Sequence, residues 1–386
     1  MKSYFSEFKS FLHIDVNTDR IYGLDILRAV AIIFTVLLHG KYLIESEIYK
    51  YILYFVFDGV TIFFVLSGFL IGGILIKLLN TNIINKRLLL SFWIRRWLRT
   101  VPTYFLVLTI ALALNYFFSP DFVLADKIIY YIFCQNIYTP HPSFFGEAWS
   151  LSVEEWFYIL IPILIFTFLK LFTVSVNNSI LLTSLLIITV TTFFRYYRYL
   201  NFSSTDLELW NSTFRYQVAT RLDSLMYGIS GAYIFQNFNY LWYKFKLHFL
   251  TIGLLLILSS KINLFPIKEF GIYNSVFSFS FTSIGILFLL PYFSSVKKGK
   301  GFIYKIISKI SLISYSMYLI HYSIIRVWLL PLIKNLTTEL NPYLIIILIY
   351  ASYWLLTILF ANILYKYFEI PTMNLRNKLT IDPQKT

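Results

Sequence analysis

GVTIFFVLSGFLIGG, residues 59–73, decides the fold: it holds no charged residue and lies inside an apolar stretch, 52–76, long enough to cross a hydrocarbon core of about 30 Å. Its Gly68, Gly72 and Gly73 are packing features, because small residues let helices approach closely where lipid tails are as apolar as the side chains. Working outward, further apolar stretches fall near 24–44, 102–118, 152–172, 178–195, 218–237, 247–260, 272–293, 310–330 and 343–365. The 386-residue chain is 58% hydrophobic and 13% charged, with a mean hydropathy of +0.69, too apolar for a soluble fold of this size. The pattern predicts an all-α fold, a polytopic transmembrane bundle of about ten helices. The weakest spans are 218–237, which carries Arg221 and Asp223, and 247–260, which is short. Residues 128–137 are apolar but too few to span, and are expected in a re-entrant or interfacial segment.

The net charge of +14 would suggest nucleic acid in a soluble protein; here the cations sit in short loops beside apolar spans, where they set orientation, and a nucleic-acid partner is discounted. With the N-terminus inside, inner segments collect about 21 of the 33 Lys and Arg and outer ones about 11, so both termini are expected in the cytoplasm. Residues 1–23 read as a polar cytoplasmic segment without a small-residue cleavage signal, 24–370 as one membrane domain, and 371–386 as a cytoplasmic tail. Cys134 is the only cysteine, which excludes an intramolecular disulfide and a cysteine metal cluster. No His or carboxylate pair has metal-ligand spacing, so no metal is expected.

An ionisable group at the centre of a membrane helix costs about 2.5–3.5 kcal/mol on insertion scales, so each must face protein, water or a ligand. In GLDILRAVAIIFTVLLHG (23–40), Arg28 and His39 lie about three turns apart on one face, roughly 16 Å along the axis. A snorkelling Arg and a structurally satisfied His are the plain alternative. Asp58 stands where the next span enters the membrane, about where His39 leaves it; it is either a solvated helix-end acid or a partner that holds the imidazole in one tautomer. RRWLRTVP (95–102) puts Arg95, Arg96 and Arg99 around Trp97 at the inner surface, an anion site if not simply a topogenic signal. AWSLSVEEWFY (148–158) opens span four with two adjacent acids, more than capping requires, and places Glu154 and Tyr158 on one face. RLDSLMYG (221–228) carries Arg221 and Asp223, which need partners on other helices. SYSMYLIH (314–321) aligns Tyr318 with His321, and FEIP (368–371) brings Glu369 to the inner end of span ten.

Taken in order, these segments resemble the family-three membrane acyltransferases, bacterial polytopic enzymes that O-acylate lipopolysaccharide, peptidoglycan, exopolysaccharides and some small molecules. The resemblance runs nearly end to end, through LDILRAVA ending in His39, GVTIFFVLSGFLI, RRWLR with Pro102, WSLSVEEWFY, RLDSLMYG, SYSMYLIH and FEIP. It implies that His39 is the essential first-helix histidine, that Arg96 and Arg99 form the donor-binding pair, and that Glu154 is the fourth-span acid. The family often has Asp where this chain has Thr61, and Asp58, one turn earlier, is the expected substitute. The esterase-like domain fused to some members is not seen, so transfer is expected to finish within the membrane domain or with a partner.

The expected activity moves an acyl group, acetyl foremost, from cytosolic acyl-coenzyme A to a hydroxyl of a cell-surface polysaccharide or glycolipid. Acetyl-coenzyme A is then a co-substrate, with no permanently bound cofactor, and the location is the bacterial inner membrane among membrane lipid. His39, Glu154 and Asp58 are the catalytic candidates; Arg28, Arg95, Arg96 and Arg99 the donor-binding ones; and Tyr158, Arg221, Asp223, Tyr318, His321 and Glu369 acceptor-binding or structural. His39 as general base and an acyl-imidazole relay both remain open. A polar cavity is expected to run from the arginines past Arg28 to His39, with Glu154 lining its outer end. The competing class is a proton-coupled transporter, against which stand the missing internal repeat and the arginine cluster beside Trp97.

Overall fold

The computed structural model describes residues 20–44, 47–81, 86–142, 144–172, 174–259, 270–337 and 340–379. Residues 1–19 and 380–386, most of the expected cytoplasmic segment and part of the tail, lie outside the described residues. Helices stand at every predicted span: α1 (Tyr22–Gly40), α2 (Gly59–Thr81), α3 (Lys86–Phe118), α4 (Ala148–Leu171), α5 (Val176–Leu200), α6 (Val218–Asn237), α7 (Lys246–Ser259), α8 (Ser278–Ser295), α9 (Gly301–Ile320) and α10 (Pro342–Leu364). No strand occurs among the described residues.

Eight of these positions are long and apolar enough to cross a membrane by length and composition; α6 and α7 are not among them. The shortfall has a physical reason in each case. The 14 residues of α7 rise only about 21 Å, less than a hydrocarbon core. α6 is long enough, at 20 residues, but carries Arg221 and Asp223, both fully buried.

The glycines of the opening stretch explain how α2 and α6 pack. A Cβ on Gly68 would lie 2.0 Å from the Leu225 carbonyl oxygen, and one on Gly228 would lie 2.1 Å from that of Val65, so the two backbones touch and any side chain would part them. Gly73, by contrast, faces open space.

The buried apolar residues fall into two large clusters. One joins α2, α4, α5, α6 and α8 with the first half of α1; the other joins the C-terminal half of α3 with the second half of α1, α9 and α10. Val60 and Phe63, at the start of α2, pack against both, which puts the entrance of α2 at the seam between the halves.

The segment expected to be re-entrant forms a 3-10 helix, Ala125–Ile132, ended by Phe133 in the left-handed region at φ 56°. It is fastened to the start of α4: Gln135 donates to Ser152 Oγ at 2.5 Å, Asn136 donates to the Trp149 carbonyl at 3.1 Å, and Trp156 donates to the Phe133 carbonyl at 3.0 Å. Further along α4, Pro162 has no N–H for the Tyr158 carbonyl four residues back, and Trp93 Nε1–H of α3 donates there at 2.9 Å. This bond locks α3 to α4 at the level where both helices contribute to the candidate site.

Candidate functional site

A cavity of about 90 Å³ opens at the seam between the two halves of the bundle, among α1, α2, α3, α4 and α9. Arg28, Arg96 and Arg99 line one part of it, and Glu154, Ser150 and Tyr318 another. Neither Arg28 nor Arg99 hydrogen-bonds to any described residue, so both guanidinium groups keep their donors for whatever enters. Arg95, one turn before Arg99 on the same helix, is not among the lining residues. Within the cavity Ser67 donates to Glu154 Oε1 at 2.5 Å, fixing the carboxylate, and Tyr158 completes the wall one turn along α4. The neighbouring Glu155 takes a different role: buried, it accepts from Thr100 Oγ1 at 2.7 Å and joins α4 to α3.

Beside this cavity lies a pair of histidines. His39 occupies the last turn of α1, held there because Tyr353 and Tyr49 donate to the Val36 and Leu37 carbonyls at 3.1 and 2.6 Å. His321 opens a π-helical stretch, His321–Leu329, that continues α9 with a wider turn. His39 Nδ1 lies 2.7 Å from His321 Nε2, with the ring centroids 4.9 Å apart and the ring planes 25° from parallel. The Tyr322 ring also lies against His39, with centroids 5.0 Å apart.

The π-helical stretch is pinned from outside by Glu147, which accepts the Ser323 N–H at 3.0 Å and, on its second oxygen, the Ser323 hydroxyl. The Tyr318 phenol donates to the Glu147 carbonyl at 3.0 Å and lies 2.6 Å from the Ser150 hydroxyl. Tyr318 therefore stands at the boundary. It lines the cavity, and its ring is 5.8 Å from that of His321. Of the passage expected from the arginines to His39, the cavity's lining includes the arginines, Glu154 and Tyr318 but not His39.

Asp58 differs from expectation as well. Its carboxylate accepts from the N–H groups of Val60 and Thr61 at 3.1 and 3.3 Å and from the Thr61 hydroxyl at 3.0 Å, and it pairs with Arg215 at 2.9 Å. None of these bonds reaches His39. A carboxylate just before the first turn of α2 is drawn to that turn's free N–H groups, and the arginine satisfies the rest. His321 takes the place beside His39 that the sequence assigned to an acid.

Arg221 donates to Thr61 Oγ1 at 2.7 Å and packs against the rings of Phe279, Phe64 and Trp149, while Asp223 pairs with Arg195 at 2.7 Å, both side chains fully buried. Ser280 joins the latter pair, donating to Asp223 Oδ2 at 3.1 Å. Glu369, at the end of another π-helical stretch, Tyr365–Glu369, accepts from Ser316 at 2.7 Å. These residues tie helices together and, Glu369 included, do not line the cavity.

Glu147, Arg195 and Arg215 are among the engaged residues that escaped the sequence reading. Each carried a signal, a charge at the edge of an apolar span, but so do many topogenic residues, and only the fold supplies the partner.

A family model described as an acyltransferase domain matches residues 21–366. Over 372 residues the chain is 27% identical to the O-acetyltransferase OatA of Staphylococcus aureus (strain NCTC 8325), covering 90% of this chain and 56% of that protein. Over 128 residues it is 33% identical to the peptidoglycan O-acetyltransferase OatA of Listeria monocytogenes, covering 30% of this chain and 20% of the relative. The chain thus spans about half the length of the S. aureus relative. No solved structure matches it.

Proposed function

Since the chain belongs to the acyltransferase family, we propose that it is a membrane O-acetyltransferase that moves an acetyl group from acetyl-coenzyme A to a hydroxyl of a cell-surface glycan. The observation that carries this reading is the juxtaposition of two arginines that make no hydrogen bond to any described residue, Arg28 and Arg99, with a histidine pair one side chain beyond the same cavity. The arginines suit the phosphates of the donor, because a guanidinium pairs bidentately with phosphate oxygens. The acyl end then extends toward Ser150 and Tyr318, with Glu154 lining its path. Both termini lie in the cytoplasm of a bacterial cell and the histidine end of the bundle faces outward, as the distribution of basic residues favours.

His39 acts as general base. Its imidazole takes the proton of the acceptor hydroxyl as the oxygen attacks the thioester carbonyl; the new C–O bond forms, the C–S bond breaks, and the same proton passes to the departing thiolate. A neutral imidazole suits this at neutral pH. Among acceptors, the named relative from L. monocytogenes favours peptidoglycan over lipopolysaccharide as the first to test.

The test is direct. Purified protein in lipid nanodiscs is given acetyl-coenzyme A carrying a labelled acetyl group together with peptidoglycan fragments. Label in an ester that mild base releases supports the reading; label that stays on coenzyme A, with donor bound, contradicts it.

A further inference from the structure

We infer that His321 is a positioning residue that fixes the tautomer of His39, so that Nε2 of His39, and not Nδ1, meets the acceptor hydroxyl. This rests on the general-base reading of His39. It follows from an account of the protons along the chain of contacts. His321 Nδ1 lies 2.8 Å from the Tyr318 carbonyl oxygen and 3.1 Å from that of Met317. A carbonyl oxygen only accepts, so Nδ1 carries the proton. In a neutral imidazole the other nitrogen is then bare. That nitrogen, His321 Nε2, lies 2.7 Å from His39 Nδ1, so His39 must donate there. Its own proton is thereby committed to Nδ1, and the lone pair of neutral His39 sits on Nε2.

The arrangement prepares the step as well as the ground state. When Nε2 takes the hydroxyl proton, His39 becomes an imidazolium whose Nδ1–H already points at an acceptor. A neutral hydrogen bond turns into a charge-assisted one without any atom moving, and such bonds are roughly twice as strong. The added stabilisation exists only once the proton has begun to arrive, so it lowers the barrier and does not merely tighten binding. On collapse of the intermediate the Nε2 proton goes to sulfur and the pair is as it began; no proton travels through His321, whose Nδ1–H stays on the carbonyls.

The local fold is built to keep this chain of bonds. His321 is the first residue of the π-helical stretch, and Glu147 holds the next turn through Ser323 while its carbonyl takes the Tyr318 phenol. The residue whose carbonyl orients His321 is thus itself anchored by its side chain.

Two measurements test the inference. In wild-type protein labelled with nitrogen-15 histidine in nanodiscs, with His39→Ala to assign the signals, His39 is expected to be protonated on Nδ1 and bare on Nε2 at neutral pH; the opposite tautomer overturns the inference. In kinetics, His321→Leu should lower kcat about 10²-fold, the lower end of what general-base catalysis supplies, while KM for acetyl-coenzyme A changes less than twofold. His321→Gln, whose amide oxygen can accept from His39 Nδ1–H, should recover at least tenfold of that loss. If His321→Leu keeps the wild-type kcat, or if Leu and Gln are equally impaired, the inference falls while the general-base reading stands. An active His39→Ala brings down the reading on which it rests.

Discussion

Arg99→Gln and Arg95→Gln remove the same charge from the same segment, four residues apart, yet the structure assigns them different consequences. Arg99 lines the cavity without a hydrogen bond to any described residue, whereas Arg95 lies off it. A hydrogen bond to a charged group contributes about 1.5–3 kcal/mol. At about 1.4 kcal/mol per tenfold, loss of one arginine–phosphate contact should weaken coenzyme A binding by about 10- to 100-fold. Arg28→Gln should cost a similar amount, and it should not impair insertion, because an arginine in the membrane is itself unfavourable by about 2.5–3.5 kcal/mol. Arg95→Gln should leave affinity within about twofold. Titration calorimetry of coenzyme A into the protein in nanodiscs measures all three. If the arginines served only to set orientation, the two substitutions on α3 would act alike, and equal affinities for Arg95→Gln and Arg99→Gln would refute the assignment.

The Arg195–Asp223 pair is fully buried, so Asp223→Leu, which leaves a guanidinium uncompensated, should destabilise the protein by about 3–5 kcal/mol, while Arg195→Met combined with Asp223→Leu should recover most of the loss. Thermal unfolding in detergent checks this; a double variant no more stable than the single one contradicts it. His141 lies outside the spans, and burial pushes its imidazole down to about 4. Between about pH 4 and the unfolded value near 6.5 the unfolded chain binds the extra proton, so stability should rise with pH across that window and be lost as pH falls through it. His141→Gln should flatten that slope in denaturation curves recorded from pH 4 to 7; an unchanged slope assigns it to other groups.

How much was legible in the sequence depended on the distance over which a partner acts. Spans are local properties of composition, and a helix stands at each predicted position, even at α6 and α7, where length or charge weakens the signal. That Glu154 and Tyr158 line one cavity also followed from helical spacing, since residues on one face of a helix meet the same space. The pairings were not legible. His39 and His321 are 282 positions apart, and Asp58 and Arg215 are 157 apart, so no periodicity within a helix points from one to the other. Asp58 and His39 are near in sequence across one connection, which made their partnership the natural expectation. The capping geometry at the start of α2 and the nearby arginine draw the acid away, and the π-helical turn after α9 supplies the imidazole that takes its place. The bonds of Tyr318 were equally hidden, because its motif shows a tyrosine on the face of His321 but not the Glu147 carbonyl and Ser150 hydroxyl that its phenol meets.

The central claim is that His39 carries out the proton transfer in acetyl transfer to a glycan hydroxyl, and the most direct measurement is the single-turnover rate of His39→Ala with labelled acetyl-coenzyme A and an acceptor glycan. The account expects a variant that inserts, unfolds at the wild-type temperature within a few degrees and binds coenzyme A with unchanged affinity, but transfers the label about 10²- to 10⁴-fold more slowly. A folded, donor-bound His39→Ala that transfers label at more than about a tenth of the wild-type rate would contradict it.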